Sequence, residues 1–148
     1  MQGHKLEIGH QPNSSEFLQL RATIIRVSPE EGRQKIKKLV GQETELNAAQ
    51  TVFLDKKYRE VVILIDSELD PAIQEVLTVH EIAQLRVIRN WLAIGRPIQN
   101  ILQLAHEIGL SAGIEHSVKL GVKDQYLQLR KKWDDENRRK SQEHTGSK

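Results

Sequence analysis

Five consecutive apolar, mostly β-branched residues, Val61-Val62-Ile63-Leu64-Ile65, constrain this chain more than any other segment. A strand with one wet face alternates apolar and polar residues, so an unbroken run predicts a central strand covered on both faces. Thr51–Leu54 is a second apolar run, and Asp55-Lys56-Lys57 between it and Tyr58–Ile65 reads as a hairpin loop. Upstream, Phe17–Val27 alternates Leu18, Leu20, Ala22 and Ile24 with Gln19, Arg21 and Thr23, the period of a half-buried strand. Ser28-Pro29-Glu30-Glu31 follows as a capping box, predicting a helix that buries Ile36, Leu39 and Val40 and stops at Gly41. So few strands with one helix cannot stand alone. They must lean on the later helices or on a second copy of the chain.

From residue 70 the pattern becomes helical. Asp70-Pro71 opens a short helix through Leu77, and Thr78-Val79-His80-Glu81 reads as a second capping box. Ile82, Leu85, Ile88 and Leu92 then recur at helical spacing, and Gly95 ends that helix. Pro97 starts another, running to Gly109, and Ser111 caps a further one ending near Gly121. Val122, Tyr126, Leu129 and Trp133 make one more apolar stripe before a wholly polar end. The expected class is α+β: a small β-α-β-β half, then a helical half with a trihelical core resembling a helix-turn-helix unit. The expected divisions are a disordered tail over 1–15, the α+β unit over 16–78, the helical unit over 79–141 and a disordered tail over 142–148.

Composition removes some classes. No run of about 18 apolar residues occurs, so no membrane span is expected. There is no cysteine, which excludes a disulfide scaffold and thiolate metal sites, and with no secretory signal a cytoplasmic protein is expected. The net charge of +2 is uneven: residues 1–78 carry −2 and residues 79–148 carry +4. That permits a phosphate-facing surface in the second half without requiring one.

Asn100–Gly121 suggests the function. Two helices meeting steeply through a tight turn need a small residue in the first and a glycine at the turn. Ala105 and Gly109 meet both needs, which predicts a positive φ at Gly109. The expected function is a DNA-binding regulatory protein of the transcription-regulation kind, with double-stranded DNA as partner. Phosphate contacts are expected from Arg86, Arg89, Arg96, Lys119 and Arg130-Lys131-Lys132, and base contacts from Glu115, His116 and Lys119. A homodimer centred on the uncovered sheet would present two such units. The alternative is a non-enzymatic interaction or assembly module whose amphipathic helices dock on a protein partner. With no phosphate-binding glycine loop and no nucleophile in a recognisable motif, neither an enzyme nor a cofactor is expected.

One resemblance points elsewhere. HEIGLSAGIEHS, residues 106–117, resembles the zinc-binding consensus of the metzincin proteases, which implies ligands at His106 and His116 and a base at Glu107. It departs from the family at Leu110, where the second ligand stands, and the methionine that follows the motif is missing, since Met1 is the only one. His80-Glu81 departs similarly, with Gln84 where a second histidine belongs. Two ligands fall short of the three that catalytic zinc keeps, so at most a degenerate metzincin-like protein is implied and no metal site is expected.

Overall fold

The structure, a computed structural model, describes residues 3–8, 20–41, 44, 46, 48–55 and 59–146; for 3–8, 20 and 140–146 it describes the backbone. The order is β1 (Gly3–Ile8), β2 (Leu20–Val27), α1 (Pro29–Val40), β3 (Ala49–Phe53), β4 (Glu60–Asp66), α2 (Pro71–Ala93), a 3-10 turn (Ile98–Asn100), α3 (Leu102–Lys119) and α4 (Lys123–Gly146). The class is α+β with a helical C-terminal half, as expected.

The sheet runs β1-β2-β4-β3, with β4 parallel to β2 and antiparallel to β3. Its centre explains the unbroken apolar run. Val61, Ile63 and Ile65 face α2, while Val62 and Leu64 face α1 beside Val27, Ile36, Leu46 and Val52. Ile63, Leu64 and Ile65 have no solvent exposure. The capping box forms as read: the Glu31 N–H donates to the Ser28 hydroxyl and the Ser28 N–H to the Glu31 carboxylate, each at 3.2 Å. Gly41 ends α1 in the left-handed region at φ 73°. At the hairpin, the Asp55 carboxylate accepts from the Arg59 N–H at 2.8 Å; Lys56, Lys57 and Tyr58 lie outside the described residues. So do Phe17, Leu18 and Gln19 of the expected first strand.

Several expectations are corrected. Gly3–Ile8, assigned to a disordered tail, form β1 and pair antiparallel with β2 from Gly3↔Ile25 to Ile8↔Leu20; residues 9–15 of that tail lie outside the described residues. At the other end α4 continues through Gly146, into the segment assigned to a tail from 142. The boundary after residue 78 falls inside α2, which is one helix where two were expected. Asp70 caps it, accepting from the Ala72 N–H at 2.9 Å. Thr78 starts nothing, because its hydroxyl bonds back to the Gln74 carbonyl at 2.9 Å, as an interior threonine does. One apolar core therefore joins sheet and helices: Ile63 and Ile65 share it with Leu85, Ala105, Tyr126 and Trp133. The sheet is covered by α1 on one face and α2 on the other, while among the described residues the outer edge of β3 pairs with no strand.

The largest correction concerns Gly109. It lies inside α3, an unbroken helix from Leu102 to Lys119, and is absent from the positive-φ residues, whereas Gly95 and Gly121 at helix ends take φ 78° and 72°. No helix-turn-helix exists at 100–121. The small residues are there for a different close approach. Ala105, Gly109, Gly113 and Ser117, four apart, form a stripe that packs on the neighbouring helices and is fully or nearly shielded. A Cβ on Gly109 would sit 2.7 Å from the His80 carbonyl oxygen, and one on Gly113 would sit 2.9 Å from the Tyr126 hydroxyl. The sequence signal for small residues at a helix contact was sound, but it belongs to the side-by-side packing of α3 on α2 and α4.

Candidate functional site: a polar cleft beside the edge strand

The core on the α2 side of the sheet is not closed. Between β3, α2, the start of α3 and α4 lies a cavity of about 260 Å³. Alternation along β3 sends Thr51 and Phe53 toward α2, opposite to Val52. Helical spacing brings His80, Glu81 and Gln84 of α2 to the same opening, His106 enters from α3, and Arg130, Trp133 and Asp134 stand one turn apart on α4. Among the described residues no strand pairs with the outer edge of β3, so the cleft opens beside a sheet edge.

His80 is only 2% exposed. Burial pushes its pKa down to about 4, with the Arg130 guanidinium and His106 adding to the effect, so the imidazole is neutral near pH 7. Its Nε2 lies 3.2 Å from the Gln84 amide oxygen, and the His106 ring sits edge-on at 5.2 Å between centroids, at 64°. Glu81 accepts from the Thr51 hydroxyl at 2.7 Å. Burial raises the Glu81 carboxyl above its ordinary range, opposed by the Thr51 hydrogen bond and by Arg130.

Arg130 is the cation of the cleft. Its guanidinium lies 3.7 Å from Asp134 and 5.8 Å from the Trp133 ring centroid. Burial raises the Tyr126 hydroxyl pKa, partly offset by Arg130. Three atoms in this region, His80 Nδ1, Arg130 Nε and Tyr126 Oη, are shielded from solvent and have no hydrogen-bond partner among the described residues. Each such group left unsatisfied costs about 1–3 kcal/mol, so a cluster of them is out of keeping with a region built for stability alone.

The residues expected to touch DNA fall elsewhere and do not share one surface motif. Arg130 turns into the cleft, while its neighbours Lys131 and Lys132 are exposed on α4. His116 faces Glu75 at 3.4 Å, and Lys119 lies 4.0 Å from Glu115 on the same helix. Arg86 is exposed on α2, Arg89 donates to Asn90 at 2.6 Å, and Arg96 stacks over Trp91 at 5.2 Å. The metzincin-like frame also dissolves. His106 and His116, ten residues apart on one helix, stand roughly 15 Å apart along its axis.

Sequence reasoning passed over Thr51, Glu81, Gln84, His106 and Asp134 as a group, and gave Arg130 a different task. The only local sign was His80-Glu81 with Gln84 one turn on; strand and helices far apart in the chain supply the rest. Comparison with family models, with curated proteins and with solved structures gives no match. Among the described residues no helix is long and apolar enough to cross a membrane.

Proposed function

We propose that this chain is a non-enzymatic binding module whose cleft receives an extended peptide carrying an acidic side chain. The observation that supports the reading is the buried, unpartnered Arg130 Nε in a cleft bordered by the open edge of β3. An extended segment added along the outer edge of β3 pairs with the strand's backbone, which supplies affinity without sequence demand. Every second side chain then points toward α2, and a carboxylate there accepts from Arg130 through a charge-assisted bond. His106 and Thr51 sit beside the same opening.

The test is fluorescence anisotropy with a labelled heptapeptide of alternating valine and threonine carrying a central glutamate. The reading expects saturable binding in roughly the micromolar range. Arg130→Leu, or glutamine in place of the peptide's glutamate, weakens it about tenfold or more. Equal binding by wild type and Arg130→Leu contradicts the role given to Arg130, and no binding contradicts the module itself.

A second reading keeps duplex DNA, now without a helix-turn-helix. It is favoured by a shallow hollow on α4 bordered by Lys131, Lys132 and Arg139, with Gln128 and Asp135. Such a surface contacts phosphates alone, so binding to random duplex falls steeply with salt and is lost when Lys131 and Lys132 are neutralised together. Failure to bind at low salt removes this reading and leaves the cleft untouched.

A further inference from the structure

Arg130 is not the only group in the cleft that an acidic side chain must meet. Glu81 lines the same cavity with its Oε2 accepting from the Thr51 hydroxyl at 2.7 Å, and Asp134 stands 3.7 Å from the Arg130 guanidinium. We propose that Glu81 enters the complex as the neutral acid and donates its proton to the ligand's carboxylate, so that the cleft takes up one proton with each acidic side chain it binds. The inference rests on the peptide reading above. It adds a second recognition residue, a pH dependence and a bias against phosphate.

The charges that meet in the cleft carry the argument. Among the described residues β3 brings no charged side chain to it, α2 brings His80 and Glu81, α3 brings His106, and α4 brings Arg130 and Asp134, with the Tyr126 hydroxyl in electrostatic reach of Glu81. With Glu81 and Asp134 both ionised, Arg130 already faces two carboxylates, and an incoming side chain brings a third. Carboxylates crowded into a place withdrawn from water do not all stay ionised; the most desolvated one takes a proton. Asp134 is 57% exposed and beside Arg130, whereas burial already holds the Glu81 carboxyl above its ordinary range. His80, at about 4, stays neutral above pH 5.

The geometry around Glu81 suits a donor. Thr51 occupies Oε2, so the proton sits on Oε1 and forms an O–H···O⁻ bond to the ligand, a charge-assisted bond. The proton comes from solvent, and no bond other than that O–H is made. A phosphate dianion brings two negative charges against the same guanidinium, so it is held less well than a carboxylate.

The experiment is titration of the full chain with the glutamate-centred heptapeptide between about pH 8 and 5.5, above the range where the peptide's own carboxyl titrates. Calorimetry in two buffers of unlike ionisation heat counts the protons. Wild-type affinity is expected to rise about tenfold or more as pH falls, approaching tenfold per unit where Glu81 is ionised free and protonated bound. Uptake approaches one proton per peptide. Glu81→Gln still accepts from Thr51 and offers an amide donor in place of the acid; it binds at the high end of the range as tightly as wild type at the low end, and takes up no proton. Protonation of His106 would give the same sign, so His106→Gln is the control, and it keeps the pH dependence. A phosphoserine-centred peptide binds wild type about tenfold or more weakly at the high end, where its phosphate is a dianion. Equal affinity across the range, a dependence that survives Glu81→Gln or vanishes in His106→Gln, or tighter binding of the phosphoserine peptide overturns the proposal and leaves the module standing. Binding of no peptide at any pH overturns the module, and the proposal with it.

Discussion

The two sides of the sheet are built on opposite principles. Under α1, Val27, Ile36, Leu46, Val52, Val62 and Leu64 form a small core free of buried charge. Under α2 the core is larger, yet it ends in a cleft where His80, Glu81 and Arg130 are sheltered together. A region selected for stability alone closes over aliphatic side chains, because an unsatisfied buried polar atom costs more than a methyl group contributes. The α2 side keeps His80 Nδ1, Arg130 Nε and Tyr126 Oη in that state. On the proposed reading, α1 holds the sheet and the α2–α3–α4 side meets a ligand.

The contrast breaks most visibly on core truncation. Ile36→Ala, which opens a cavity under α1, should cost roughly 2–5 kcal/mol in urea unfolding and leave the affinity of the folded protein for peptide unchanged. A variant as stable as wild type would mean that the α1 side does not hold the sheet.

Acidification reaches the other side. Because the folded His80 pKa is about 4, below its ordinary 6.5, the stability tied to its neutral form is complete above about pH 6.5. It is lost as pH falls toward 4, by at most about 3 kcal/mol. Glu81 acts with the opposite sign: its raised pKa means the fold favours the protonated form, so acidification through that range offsets part of the loss. The His80 share is therefore read as the difference in pH slope between wild type and His80→Leu. Parallel profiles from pH 7 to 4 would contradict a buried neutral His80.

Gly109→Val should cost about 1–3 kcal/mol, because its side chain meets backbone at the His80 carbonyl rather than the end of a flexible chain. It should weaken peptide binding by shifting α3. Substitution without cost would mean that α2 and α3 do not approach closely there. The smallest stability effect belongs to Arg130→Leu, within about 1 kcal/mol in either direction, since the desolvated cation is poorly compensated in the unliganded fold. A cost of several kcal/mol would make Arg130 a structural residue.

The same division decides what could be read from the chain. Val61–Ile65, the Ser28–Glu31 capping box and the helix end at Gly41 are local patterns whose physics lies in neighbouring residues, and each appears as read. Gly109 was misread because small residues four apart serve equally for a helix turn and for helices lying side by side; only the partner surface, His80 and Tyr126, distinguishes them. Thr78-Val79-His80-Glu81 imitates a helix start, but the flanking apolar positions Ile73, Val76, Leu77 and Leu85 continue one buried face through it. The cleft was the least legible. Its residues come from β3, α2, α3 and α4, so no stretch of sequence carries its pattern, and Arg130 looks like one more basic residue of an exposed cluster.

The most direct measurement is a map of ¹H–¹⁵N shifts, including the arginine Nε–H signals, during titration with the glutamate-centred heptapeptide. The account predicts that the largest changes fall on the amides of Ala49–Phe53 and on Arg130 Nε–H, with Lys131, Lys132 and α1 unmoved. Changes confined to the exposed faces of α3 and α4, with β3 and Arg130 silent, would contradict it.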